Sequence, residues 1–233
     1  MSQQLILDVF PAPAPSLDNF IVGANGPALE ALRNCTPGRA VFLWGTSGSG
    51  RSHLLQAITQ KPGGLYIAAH NAASQLQQVL KHPPNLQAIA LDDIHKYNDD
   101  GQIALFRLYN QWRELADTPL AFALFLAADR SPLALPMRED LRSRLGWDLV
   151  FRLEQLSDEQ RAQALQTSAS EQGMQLGDDV VNWLLTHYTR NMSVLGSLIT
   201  ALNRYALEKQ RAITLPLLKD LLAQARTKNT ETP

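Results

Sequence analysis

Val41-Phe42-Leu43-Trp44 runs directly into Gly45-Thr46-Ser47-Gly48-Ser49-Gly50-Arg51-Ser52, which reads as a buried strand feeding a glycine-rich phosphate loop and then a helix. No other stretch of the chain narrows its fold as much. Gly45, Gly48 and Gly50 let successive backbone N–H groups converge on a polyphosphate, while the helix that follows presents its positive end to the same charge. Ser49 and His53 flank these positions as further nucleotide-binding candidates, and Ser52 offers a hydroxyl to Mg²⁺. The pattern G-x-x-x-x-G-K-[ST] is met at every fixed position but one. Arg51 stands where the loop lysine belongs, keeping the charge but exchanging a compact ammonium for a wider planar fork. The site that results is suited to holding a nucleotide more than to turning it over.

The 233 residues, 45% of them hydrophobic, are enough for a core of ordinary size and point to one domain plus a smaller one. The longest apolar run, Leu120 to Ala128, is far shorter than the ~18 residues that span a bilayer, and no basic signal-peptide start is present. A soluble chain without membrane contact is expected. The single cysteine, Cys35, excludes an internal disulfide and fits a reducing cytoplasm. A net charge of −1 without a Lys/Arg block argues against DNA binding of its own, so any DNA contact is expected to be indirect. The five histidines show no paired metal-ligand spacing, which leaves nucleotide-bound Mg²⁺ as the expected metal.

Residues 1–10 form a short apolar-polar peptide and 11–16 a proline-rich extended linker. From Leu17 to Leu156, strands and helices alternate. Strands are expected at Ala40–Trp44, Leu65–Ala68, Leu86–Leu91, Leu120–Ala127 and Leu149–Leu153. The helices between and around them are placed at Pro27–Arg33, Arg51–Thr59, Ala72–Leu80, Ile103–Leu115 and Arg138–Arg142. Such alternation specifies an α/β fold with a parallel sheet covered on both faces. Beyond Leu156 the strands stop. Ser157-Asp158-Glu159-Gln160 is a capping box, and helices to about Gln172, at Asp178–Tyr188, Met192–Gln210 and Leu215–Ala225 make a small all-α domain over 157–226. Residues 227–233 are expected as a disordered tail.

Three further clusters carry chemistry. The strand Leu86–Leu91 ends in Asp92-Asp93, where a P-loop protein needs its second magnesium element: Asp92 would enter the Mg²⁺ shell and Asp93 orient a water. Taken alone the pair is also ordinary turn chemistry. Asp129 ends the strand Leu120–Ala127 near the expected γ-phosphate, although Asp-Arg-Ser-Pro is equally a normal stop signal. Arg142 and Arg144, one residue apart at the end of a short helix, point different ways. One can pair locally while the other projects as an arginine finger toward a neighbour's nucleotide.

Together the Walker A and B elements, the Asp129 strand end, the Ser143-Arg144-Leu145-Gly146-Trp147 box and the helical lid resemble the AAA+ core of the bacterial replication initiator family of DnaA, and more closely its short Hda branch. The arginine variant of the loop, Gly50-Arg51-Ser52-His53-Leu54-Leu55, favours that branch, and the chain after the lid leaves no room for the initiator's helix-turn-helix. The resemblance implies ADP or another nucleoside diphosphate with Mg²⁺ as the resident ligand, with residues near Leu17–Val22 bordering the base. It implies Arg144 as a finger acting in trans on DnaA-bound ATP, so that the chain regulates initiation negatively and the catalysis belongs to the partner. Gln4-Leu5-Ile6-Leu7-Asp8-Val9 is similar to the family's peptide for the β sliding clamp, with Gln4 at the rim and Leu5, Leu7 and Val9 as apolar contacts. A homo-oligomer is left open.

One departure stands out: where the family opens its third lid helix with an arginine that touches the nucleotide, this chain has Ser193, with Arg190 about one turn earlier. Two competing readings share the P-loop. A helicase-loader ATPase would need a larger N-terminal region, and a small-molecule kinase would need an acceptor-binding insertion that is not apparent.

Overall fold

A computed structural model describes residues 14–81 and 86–230, with 226–230 described by their backbone only. The chain divides into two compact units that meet in sequence between Gln155 and Leu156.

The first unit holds a five-stranded parallel sheet in the order β2-β3-β4-β1-β5. Its strands are β1 (Ala40–Trp44), β2 (Gly64–Ile67), β3 (Ala88–Leu91), β4 (Ala123–Ala128) and β5 (Leu149–Arg152). The helices are α1 (Gly26–Arg33), α2 (Arg51–Ile58), α3 (Ala72–Lys81), α4 (Asp99–Leu115) and α5 (Glu139–Arg144). The period of two decides which face each strand residue serves. Phe42, Ile89, Leu91, Leu124 and Leu126 join the core under α3 and α4, whereas Val41, Leu43, Ala90, Phe125 and Ala127 join the core under α1 and α2. Trp112 anchors the first of these layers, buried to the ring nitrogen, which donates to the Phe122 carbonyl at 3.0 Å. Arg39 grips Asp148 with both arms of its guanidinium, at 3.0 and 2.6 Å, and the Ala40 N–H adds a third bond at 2.8 Å, which pins the start of β1 to the start of β5. Burial pushes the nearby Cys35 thiol up to about 11, with Asp148 adding to the effect, so this cysteine stays protonated.

Element ends depart from the sequence expectation where polar chemistry sets them. The helix expected from Ile103 begins at Asp99, because Asn98 caps it through a bond from the Gly101 N–H at 3.0 Å and Asp99 and Asp100 suit its positive end. The strand expected from Leu120 begins at Ala123, because Thr118 holds a turn: its hydroxyl donates to the Leu115 carbonyl at 2.8 Å and accepts from the Leu120 N–H at 3.2 Å. The short helix runs over Glu139–Arg144 rather than Arg138–Arg142.

The second unit is all-helical, with α6 (Asp158–Glu171), α7 (Asp178–His187), α8 (Met192–Lys209) and α9 (Leu215–Thr230) around a core that includes Leu165, Leu184, Leu198, Leu202 and Leu217. Both bonds of the capping box form, Gln160 N–H to the Ser157 hydroxyl at 3.2 Å and Ser157 N–H to the Gln160 side chain at 2.9 Å. The last helix is described to Thr230, past the Ala225 at which the sequence placed its end. The clamp-type residues Gln4, Leu5, Leu7 and Val9 lie outside the described residues.

Candidate functional site

Adjacent parallel strands place three loops side by side. In the register of the sheet Trp44 lies beside Ala128 and Leu91 beside Leu126, so the segments that follow, from Gly45, Asp92 and Asp129, leave neighbouring strands at one carboxyl edge. This is the crevice in which open parallel sheets bind ligands.

The first loop is shaped for close approach. Gly48 and Gly50 have φ of +82° and +93°, and a Cβ on Gly50 would sit 2.6 Å from the Phe20 ring. Gly50 occupies the cap position of α2 without a side chain to satisfy the first-turn N–H groups, which leaves them to the loop. Ser49, 5% exposed, has a buried hydroxyl with no hydrogen-bond partner among the described residues. A buried hydroxyl without a partner beside uncapped helix N–H groups fits an anionic oxygen. The residues present therefore suit a nucleoside polyphosphate. Ser52 lies exposed on the first turn of α2, a helix that packs on β3 and β4. His53 faces the N-terminal segment, its Nε2 2.9 Å from the Ser16 carbonyl and its ring tilted against Phe20 at 5.7 Å. Phe20 thus reaches the loop from the segment expected to border a base.

Arg51 turns inward and is 9% exposed. Its Nη1 donates to the carbonyls of Gly45 and Ala128, and its Nη2 donates to Asp93 at 3.1 Å. The structure thereby brings together three of the sequence-derived elements, the loop, Asp93 and the strand end before Asp129. Asp93 sits at φ +46°, in the left-handed region that aspartate tolerates better than most side chains, and its other oxygen accepts from Lys96 Nζ at 2.6 Å. Asp92 is 4% exposed and accepts from the Tyr66 hydroxyl at 2.7 Å and from the Asp93 N–H at 2.8 Å. Burial, reinforced by Asp92, pushes the Tyr66 phenol up to about 12, so it remains a donor.

The Asp129 carboxylate is taken by the fork of Arg130, at 2.8 and 2.7 Å, which holds it below the usual carboxylate range. Its backbone N–H donates to His95 Nδ1 at 3.3 Å, which assigns the proton of that ring to Nε2. Burial keeps the imidazole below its ordinary range despite Asp129 and Asp93 nearby. Sequence reasoning did not single out His95, Lys96 or Tyr66. His95 follows the acidic pair by two positions, and only the pairing of β3 with β4 brings it to Asp129.

Arg144 belongs to a separate cluster. Its guanidinium lies 4.7 Å from the Phe106 ring and 6.0 Å from that of Trp147, and Nη1 donates to the Asn110 side chain. It is half-buried along α4 rather than standing free, beside Trp147, which is 63% exposed. In the helical unit, Asn191 caps α8 by accepting from the Ser193 N–H at 3.0 Å, and Arg190, just before the cap, pairs with Asp158 at 3.0 Å. Arg161 takes the other oxygen of Asp158 at 2.8 Å.

Residues 158–222 match a family described as "Hda, lid domain". An uncharacterized protein of Haemophilus influenzae is 32% identical over 233 residues, covering 95% of this chain and 99% of its own. A solved DNA replication initiation factor is 26% identical with a TM-score of 0.62, covering 84% of this chain and 66% of that one. The AMPPCP-bound DnaA of Aquifex aeolicus is 25% identical with a TM-score of 0.63, covering 83% and 66%. The chain thus spans about two thirds of the length of those two solved proteins.

Proposed function

The chain belongs to the DnaA/Hda family of AAA+ proteins, and from that premise we propose that it is a nucleotide-bound regulator that promotes hydrolysis of the ATP held by DnaA. The observation that carries this reading is the placement of Arg144. Tyr109, Asn110 and Phe106 hold its backbone and guanidinium at the edge of the first unit, next to the exposed ring of Trp147. A cation fixed beside an exposed aromatic residue is suited to docking into a partner and neutralising charge there.

In this reading the chain's own nucleotide is a nucleoside diphosphate with Mg²⁺, which contributes charge balance and structure. The loop N–H groups and Ser49 hold the phosphates, Ser52 and Asp92 serve the metal, and His53 and Phe20 lie on the base side. Asp129, paired with Arg130, fixes the strand end beside them. Gln4, Leu5, Leu7 and Val9 tether the protein to the β sliding clamp, so that DNA is approached only through the clamp, in the cytoplasm. The test is the rate of ATP turnover by DnaA with clamp loaded on DNA, with and without this chain. A rate unchanged by the intact chain overturns the proposal.

A further inference from the structure

We infer that Arg51 is a clamp joining the ends of β1, β3 and β4, and that by occupying Asp93 it prevents this chain from hydrolysing ATP placed in the loop. The inference rests on the reading that the loop holds a nucleotide, and it accounts for why holding and hydrolysis are separated here.

Arg51 Nη1 spans two backbone carbonyls, those of Gly45 after β1 and Ala128 at the end of β4, while Nη2 reaches the Asp93 carboxylate after β3 at 3.1 Å. A planar fork offers donors from nitrogens held a fixed distance apart, which suits acceptors at the ends of three strands. A lysine ammonium is a single point at the end of a flexible stem. The contact is secluded from solvent, the side chains of Arg51 and Asp93 being 10% and 22% exposed, so ion and hydrogen bonds here are stronger than on an open surface.

The second consequence concerns Asp93 itself. In hydrolysis the oxygen of water forms a bond to the γ-phosphorus, the bond from that phosphorus to the β,γ-bridging oxygen breaks, and the proton of the water leaves on the released phosphate. A carboxylate assists by accepting a hydrogen bond from the water and holding it in line. In this protein one Asp93 oxygen is engaged by Arg51 and the other by Lys96 at 2.6 Å. Both are engaged by cations that belong to the protein, which hold the carboxylate toward Arg51 and Lys96 and draw its charge away from a water.

Two measurements test this. First, Arg51→Met, Asp93→Asn and the double variant are compared by thermal unfolding. The clamp requires each single change to lower Tm by several degrees, and the double change to lower it little further than the larger single effect. Additive shifts overturn it, and this readout is independent of nucleotide. Second, Arg51→Lys is assayed with ATP in the absence of any partner. Release of Asp93 is expected to raise kcat at least tenfold with KM changed less than threefold, and Asp93→Asn in the same background is expected to return kcat to the parental value. A kcat that stays at the parental level, or one that rises and is indifferent to Asp93→Asn, overturns the second consequence. A parent that binds no nucleotide instead defeats the functional reading and leaves the unfolding cycle to decide the clamp.

Discussion

The hydroxyl of Tyr109 donates a 2.9 Å hydrogen bond to the backbone carbonyl of Arg144. Two residues from different helices are thereby fixed at the point where α5 ends, and the Arg144 side chain lies along α4 against Phe106 and Asn110. Arg144→Ala is expected to reduce stimulation of DnaA by on the order of 10³-fold or more, the scale on which trans-acting arginines operate. Arg142→Ala should lose far less. Turnover of DnaA-bound ATP on clamp-loaded DNA measures both, and equal activity of Arg144→Ala and the parent excludes the assignment.

Tyr109→Phe separates geometry from charge. It keeps the ring and the guanidinium but removes the bond to the Arg144 carbonyl. Stimulation should fall by roughly tenfold, about the 0.5–1.5 kcal/mol of one hydrogen bond at its upper end, and Tm by no more than about 2–4 °C per kcal/mol lost. A variant as active as the parent shows that this bond does not position the finger.

Replacement of Leu5 and Leu7 by alanine is expected to abolish binding to the β clamp while leaving Tm within a degree of the parent. Each lost apolar anchor costs roughly 1–3 kcal/mol. Surface-immobilised clamp gives the affinity directly, and retention of binding by the double variant removes the peptide from the mechanism.

The protein is expected to leave purification with a nucleoside diphosphate bound, identifiable by mass after denaturation. Ser49→Ala, which removes the buried unpartnered hydroxyl, should weaken that retention and leave the fold intact. Ligand-free preparations of the parent contradict the reading of the loop.

Acid should reveal Asp148. Burial alone would raise its titration, but the fork of Arg39 and the Ala40 N–H outweigh this and hold it below the usual carboxylate range. A carboxyl depressed in the folded state contributes stability above its unfolded pKa of about 3.9, and that contribution is lost as pH falls through the folded value. Asp148→Asn should therefore cost about 1–3 kcal/mol at neutral pH. The difference from the parent should shrink below about pH 3.9, as urea unfolding at a series of pH values would show.

What the sequence discloses and what it conceals divides along physical lines. Strands with two apolar faces, such as Val41–Leu43 and Leu124–Leu126, announce themselves by continuous hydrophobicity, and the glycines of the loop by their spacing. The first turn of α4 is polar throughout, Asp99-Asp100-Gly101-Gln102, so apolar periodicity begins one turn late and only the Asn98 cap marks the true start. Leu120 extends an apolar run yet is 65% exposed, because hydrogen bonds of Thr118 hold it in a turn. The direction of the Arg51 side chain depends on carbonyls 6 and 77 residues away, and the approach of His95 to Asp129 on a pairing across 34 residues. No local pattern encodes such distances.

The helical unit carries a hydrophobic core of its own, in which Leu165, Leu184, Leu198 and Leu217 are all shielded from solvent. A cluster of that kind is what defines an independent cooperative step in native-state hydrogen exchange. The amides of α8 should therefore open at their own characteristic free energy, distinct from that of the β1 and β4 amides. A truncation such as Leu198→Ala should accelerate exchange throughout α6 to α9 and leave the sheet's slowest protons where they were.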